Sequence, residues 1–423
     1  MTEIYDTVRE DTGAMDVALE RNGGIVRLAP AWVPRVFCTP GRRIRLHPDD
    51  YFAFGAGRGG IDERWFASAV RAENGPDTTA HEGLSLVVGE NGVLLPFDAF
   101  VAHHGADLLG QRLWDVHGGW PMYSKFFDNQ QPLPFHLHQT EEKAALVGKR
   151  SKPEAYFYPP EVNNHLGDQP IAYFGLRPDV TRDQVRDALR RFGAGGDNRI
   201  TDLAVAYRLR LGTGWDVPAG ILHAPPSVCT YEPQAASDVF SMWESWSNNR
   251  EVPQDLLWKD VPAQHHGDLD FLMSLLEWDD NVDPNFAAKR FSPKIRTARS
   301  VAAGDAAGWV ESWITYRSPY FSAKELRVAA GAEVTLREDD AHGAIVIAGR
   351  GRMGGLPVAA ATAIRFGDLS EDEVFVSAQA ASALRVVNDS STETLVILRH
   401  YGPGNAELAA DDLAGHGALR MPD

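Results

Sequence analysis

The residues His136-Leu137-His138 lie inside the apolar run QPLPFHLHQ. On a strand, alternate residues share a face, so both imidazoles would project into one cavity while Leu137 turns the other way. Glu154 in SKPEAYFY and His223 in WDVPAGILHAPP could complete such a site. Three imidazoles and a carboxylate suit Zn, Fe, Mn, Co or Ni, with one coordination position left for substrate or water. Each part has a plainer alternative. An HxH pair can be one core and one surface histidine, the Gly220-to-His223 spacing is common, and Glu154 can be a strand-edge ion pair. Their conjunction, with His223 just after a Pro/Gly-rich turn, favours the metal site, although overlapping affinities leave the metal open.

Other polar and aromatic residues carry weaker signals. Lys125 and Asp128 in YSKFFDN are candidates for hydrogen-bonding a polyol, against a solvated loop pair. Arg177, just before Pro178, can bind an acidic group or simply bracket a helix. Trp65 and Trp114 can offer a sugar-facing platform, although large aromatics more often fill cores. His103 and His104 are adjacent, which on a strand sends them to opposite faces, and His342 and His400 lack a comparable constellation. RGRMGG (350–355) has the glycines of a phosphate loop without its Lys-Ser/Thr ending, so it reads as a tight β-turn.

The elements that must position these residues are mostly strands. Short apolar runs broken by Gly, Pro and Asn fill residues 23–101 (IVRLAP, SLVVGENGVLLP, AFVAHH), and the pattern continues through EAYFYPP, IAYFGL and LAVAYRLRLGTGWDVPAGILHAPP. One helix is clearly written. In VTRDQVRDALRRFG, Thr181 and Gln184 form a capping box, Val180 and Val185 a staple, Val185, Ala188, Leu189 and Phe192 a buried stripe, and Gly193 a stop. Residues 244–295, with scattered tryptophans and the helix-like DLDFLMSLLEW, read as a packed crossover. Beyond residue 300, WVESWITYR, LRVAAGAEVTLRE, GAIVIAGRG, DEVFVSA, ALRVVN and TLVILRHYG indicate a second β unit. In it VTLRE and DEVFVSA alternate as half-buried strands do, and AIVI reads as buried on both sides.

With 423 residues, 44% hydrophobic and 23% charged, the chain is long and apolar enough for two or three cores and is not of disordered or fibrous composition. Its 41 Lys and Arg against 58 Asp and Glu give a net charge of -17, which argues against nucleic acid or an anionic membrane as partner. Cys38 and Cys229 cannot supply a disulfide framework. The opening MTEIYDTVREDTGAM has no apolar core of a secretory signal and no stretch reaches the length of a membrane span, so a cytoplasmic location is expected.

The HLH, Glu154 and PAGILH segments look like the divided metal motifs of cupins, and the larger order resembles class I mannose-6-phosphate isomerases. GGIDERWFAS (59–68), KFFDNQQPLPFHLH, SKPEAYFY, YFGLRPDVTRDQVRDAL, PAGILHA and EPQAASD follow in the family's order over about residues 50–240. The resemblance implies a mainly β fold of cupin-type jelly-roll domains with small helical insertions: a metal-binding unit over 1–275, a linker over 276–299 and a second β-sandwich or cupin-like unit over 300–423. It implies one divalent transition metal, zinc first, held by His136, His138, Glu154 and His223, with His136 in place of the family's usual glutamine. Lys152 and Glu232 fall at active-site positions, and Met242 falls near the place of a family arginine. The implied reaction is aldose–ketose isomerisation of a carbohydrate, phosphorylated or free, through a cis-enediol. Two readings compete with it: a metal-dependent cupin oxygenase or lyase, and a noncatalytic carbohydrate-binding protein.

Overall fold

A computed structural model describes residues 7–164, 169–411 and 413. The first six residues, part of the segment assessed for a secretory signal, lie outside that set, as does the end of the expected C-terminal unit. Strand occupies 31% and helix 25%, so the fold is mixed α/β rather than mainly β. Every strand pair in its sheets is antiparallel, and among the described residues none of the sheets closes on itself.

Side-chain alternation along the strands reveals the layering. In Glu154–Phe157, Tyr156 faces the core that contains Leu137, Phe174 and Trp215, while Phe157 faces the core of Ile314, Ile345 and Leu398. Phe127 and Phe126 in Met122–Phe127 divide the same way. The seven-stranded sheet therefore packs on the five-stranded sheet through one face and on the nine-stranded sheet through the other. Leu395 and Ile397, on the far face of the nine-stranded sheet, enter a third core with Val334, Met353 and Val386 of the four-stranded sheet. Strands buried on both faces need continuous apolar runs, which is why AIVI and much of TLVILRHYG carry no period-two signal.

The helix over Arg182–Arg190 has the expected capping box: Thr181 Oγ1 accepts from Gln184 N at 3.3 Å, and Thr181 N donates to Gln184 Oε1 at 2.8 Å. It stops at Arg190, and a 3-10 turn over Phe192–Ala194 takes in Gly193. The RGRMGG segment is a hairpin in which Arg350–Met353 pairs with Leu356–Ala359 across Gly354 and Gly355. Three local expectations are corrected. AFVAHH is helical, within Phe97–His104, because Phe97, Phe100 and Val101 form a buried helical stripe. His103 and His104 are therefore neighbours on a helix, and both approach Asp16. Glu373–Val376 of DEVFVSA is buried at every position, since its polar residues meet buried partners rather than water.

The segment over 276–299 carries helices and two short strands. Phe291–Pro293 joins the seven-stranded sheet and Ile295–Arg296 the nine-stranded one. The early strands Ile25–Ala29, Leu86–Val88 and Leu94–Pro96 also belong to the nine-stranded sheet. Across the interface between these sheets, Arg64 makes two 2.7 Å hydrogen bonds to Asp372, and both side chains are buried.

Candidate metal centre

Two of the three histidines are paired strand residues of one sheet, and the third, His138, lies just past the end of the strand His136–Leu137. His223 is the cross-strand partner of His136, and His138 follows two residues along, so the three rings share one face. Their centroids lie 4.2 Å (His136–His223), 5.1 Å (His136–His138) and 5.1 Å (His138–His223) apart. Gly220 sets up the approach of His223. Its φ of +82° and the proximity of Glu277 leave no room for a β-carbon, and its N–H donates to His138 O at 2.7 Å. Asn281 then ties both sides of the turn, accepting from Leu222 N and donating to Gly220 O.

Glu154 reaches the rings from the facing seven-stranded sheet. Its Oε2 is 2.9 Å from His138 Nε2 and its Oε1 is 3.0 Å from His223 Nε2. All four side chains are buried, with at most 5% exposure. The ring nitrogens turned away from this focus each meet a backbone carbonyl: His136 Nδ1 meets Pro134 O at 2.7 Å, His138 Nδ1 meets Val239 O at 2.7 Å, and His223 Nδ1 meets Ile221 O at 2.8 Å. A carbonyl only accepts, so each Nδ1 carries the proton and each Nε2 lone pair faces inward, as metal ligation requires. Burial and the neighbouring His223 and His138 hold His136 well below the ordinary histidine range, and burial with nearby Lys152 brings His138 down to about 3. His223 Nε2 makes no hydrogen bond of acceptable geometry despite its proximity to Glu154. Three neutral imidazoles and an ionised carboxylate converging in this way fit a divalent transition metal.

A chain of buried charge runs away from the ligands. Lys152 Nζ is 3.1 Å from both His138 Nε2 and Glu154 Oε2, and 3.7 Å from Glu232 Oε1. Lys125, the cross-strand partner of Glu232, lies 3.2 Å from that same oxygen and 3.5 Å from Glu63. Glu63 is held by Arg35, which also pairs with Asp238 at 3.0 Å. Tyr156 OH donates to Glu154. The two central carboxyls are pushed apart. Burial would raise Glu154, but Lys152, His138 and His223 outweigh it and hold it well below the carboxylate range. Burial and the Glu154 charge drive Glu232 well above that range.

Of the residues singled out from sequence, His136, His138, Glu154, His223, Lys152, Glu232 and Lys125 converge here. Three others lie elsewhere. Asp128 accepts from Arg43 N at 2.6 Å and pins the turn at Gly41, Arg177 pairs with Asp179 and the Asp202 carbonyl on the surface, and Trp114 packs over Gly105. Trp65 is a core residue, stacked on Tyr123 at 4.6 Å. Met242 is buried beside its strand partner His136. Sequence reasoning did not single out Arg35, Glu63, Tyr156 or Asp238. Tyr156 was the most accessible of these, being two residues from Glu154 on the same strand face. Away from this centre, Glu311, Glu338 and Glu407 also converge, but Lys324, Arg299 and Arg399 already neutralise them. His400 meets Tyr231 OH at 2.9 Å.

No family model and no curated protein matches the chain. Solved structures do. Mannose 6-phosphate isomerase from Bacillus subtilis aligns with 14% identity and a TM-score of 0.54 over 89% of this chain and 99% of its own. A variant of phosphomannose isomerase from Salmonella typhimurium gives 12% identity and a TM-score of 0.60 over 90% and 100%. A zinc-bound mannose 6-phosphate isomerase gives 12% and 0.58 over the same shares. The chain therefore shares the fold of these proteins along nearly its whole length, and within that fold it carries a histidine triad able to hold a metal.

Proposed function

We propose that this chain is a metal-dependent aldose–ketose isomerase acting on a sugar. The observation that carries the reading is the position of Lys152 Nζ, 3.1 Å from His138 Nε2 and Glu154 Oε2, with Glu232 3.7 Å beyond it. Moving a carbonyl between neighbouring carbons needs a proton taken from one carbon and returned to the next, and stabilised negative charge on the oxygens. A divalent metal held by His136, His138, Glu154 and His223, zinc first by likeness to the zinc-bound structure, would supply Lewis-acid polarisation of those oxygens. Lys152 directs N–H donors to the same place, where its ammonium stabilises or protonates an oxygen as charge develops. Glu232 moves the proton, and Lys125 holds its carboxyl in register from 3.2 Å. Glu154 lies within 3.0 Å of two imidazole Nε2 atoms and serves as a ligand rather than a base. The buried setting excludes water from a reactive enediol. Two buried free thiols accord with a cytoplasmic location.

The test is solvent-deuterium exchange at the carbon next to the carbonyl, with the fully metallated protein and a panel of free and phosphorylated aldoses and ketoses. Exchange and interconversion are expected for at least one member, and silence across the panel would end the reading. The third imidazole, His136, favours a second reading as an oxygenase or lyase. Oxygen uptake by the iron-loaded protein, without any isomerisation, would select it.

A further inference from the structure

A cavity of about 480 Å³ is walled by Phe37, Phe240, Trp258, Asn74, Arg58 and Lys259. None of its wall residues belongs to the metal centre, but two of them lie one step from residues that touch it. Phe240 follows Val239, whose carbonyl receives the His138 Nδ1 proton at 2.7 Å. Asn74 Oδ1 accepts from Arg35 Nη1 at 2.8 Å, and Arg35 leads through Glu63 to Lys125 and Glu232. Its size and its mix of aromatic faces with a few polar groups match a small-ligand site.

The charges in its wall select the ligand class. Arg58 makes two 2.9 Å hydrogen bonds to Glu82, and Lys259 Nζ donates to Asp260 at 2.8 Å while lying 3.9 Å over the Phe240 ring. Both cations are already neutralised, Glu73 is paired with Lys149, and Asp77 and Asp255 add two further carboxylates to the same wall. A phosphate would have to break these pairs and then sit in a surplus of negative charge. A neutral polyol meets no such opposition. Its hydroxyls can donate to carboxylates and the Asn74 amide, and its C–H faces can lie on Trp258 or Phe240.

We infer that this cavity is a ligand site and that it takes an unphosphorylated sugar or polyol. Calling that ligand the substrate rests on the isomerase reading above. Glucitol, a hexitol with no carbonyl to isomerise, separates the two. In calorimetric titrations of the metallated protein, glucitol should bind and its 6-phosphate should bind no tighter. Trp258→Ala should weaken glucitol at least fivefold. Asp255→Lys, at an exposed position, should leave glucitol within twofold and tighten the 6-phosphate at least fivefold; this keeps the test alive should the Trp258 variant unfold. Unchanged glucitol binding in a folded Trp258→Ala protein, a 6-phosphate bound tenfold tighter by wild type, or no glucitol binding at all would overturn the inference. If these titrations come out as expected while no sugar is turned over, the cavity assignment stands and the isomerase reading falls.

Discussion

Replacing His223 with alanine tests the donor set most directly. A four-donor protein site for zinc is worth on the order of 10–16 kcal/mol, so losing one ligand should cost about 3–4 kcal/mol, or two to three orders of magnitude in affinity. The fold should survive. Glu154 keeps the Tyr156 hydroxyl and the Lys152 ammonium as partners, so no buried carboxylate is stranded, and the residual cost is a cavity worth about 2–3 kcal/mol. The assay is metal-to-protein stoichiometry by mass spectrometry after dialysis against chelators of graded strength, with circular dichroism as the control for folding. Wild type should retain one equivalent under conditions that strip His223→Ala. His136→Gln should retain its metal to within about tenfold, since the amide oxygen can donate from the same strand position. A folded His223→Ala protein that holds metal as tightly as wild type would refute the ligand assignment.

Glu232→Gln and Lys152→Met should each lower turnover by about 10²–10⁴-fold with metal content unchanged, and loss of metal instead would recast these residues as structural. Asp372→Ala removes the two 2.7 Å hydrogen bonds of the buried Arg64 guanidinium and leaves it Ser370 and Glu373 at 3.3 and 3.4 Å, so urea unfolding should show lost stability of up to about 3–5 kcal/mol. Burial raises Glu373 to about 8 from 4.5, with Arg64 and Ala67 N only partly opposing the shift. The folded state therefore keeps a proton that the unfolded chain loses. Between about pH 4.5 and 8 stability should fall as pH rises, by at most about 5 kcal/mol, and level off above that window. Glu373→Gln should flatten this slope in thermal melts across that range, and an unaltered slope would assign the pH dependence to other groups.

The histidine triad was legible because its geometry is largely local. HLH on a strand places two rings on one face whatever surrounds it, and a glycine-bearing turn before His223 signals a strand that must come back sharply. Most of the chain of charge behind them was not legible. Arg35 and Glu63 come from different strands of one sheet and Asp238 from the loop after Thr230–Ala235, and they join Lys125 and Glu232 only because that sheet sets those strands side by side. AFVAHH was misread for a related reason. Six residues of mixed aromatic, small apolar and histidine type fit either period, and only packing of Phe97, Phe100 and Val101 into one core selects the helix.

The sequence by itself therefore determined most of the runs that form strands, the capped helix over Arg182–Arg190 and the pairing of His136 with His138. Each is fixed by chemistry within a few residues. Only the tertiary structure decided that the histidines face Glu154 across two sheets, that Arg177, Asp128 and Trp114 lie elsewhere, and that the cations of the cavity beside Phe240 are already paired. Those outcomes depend on which strands become neighbours, a global balance of burial and hydrogen bonding that no short stretch of sequence encodes.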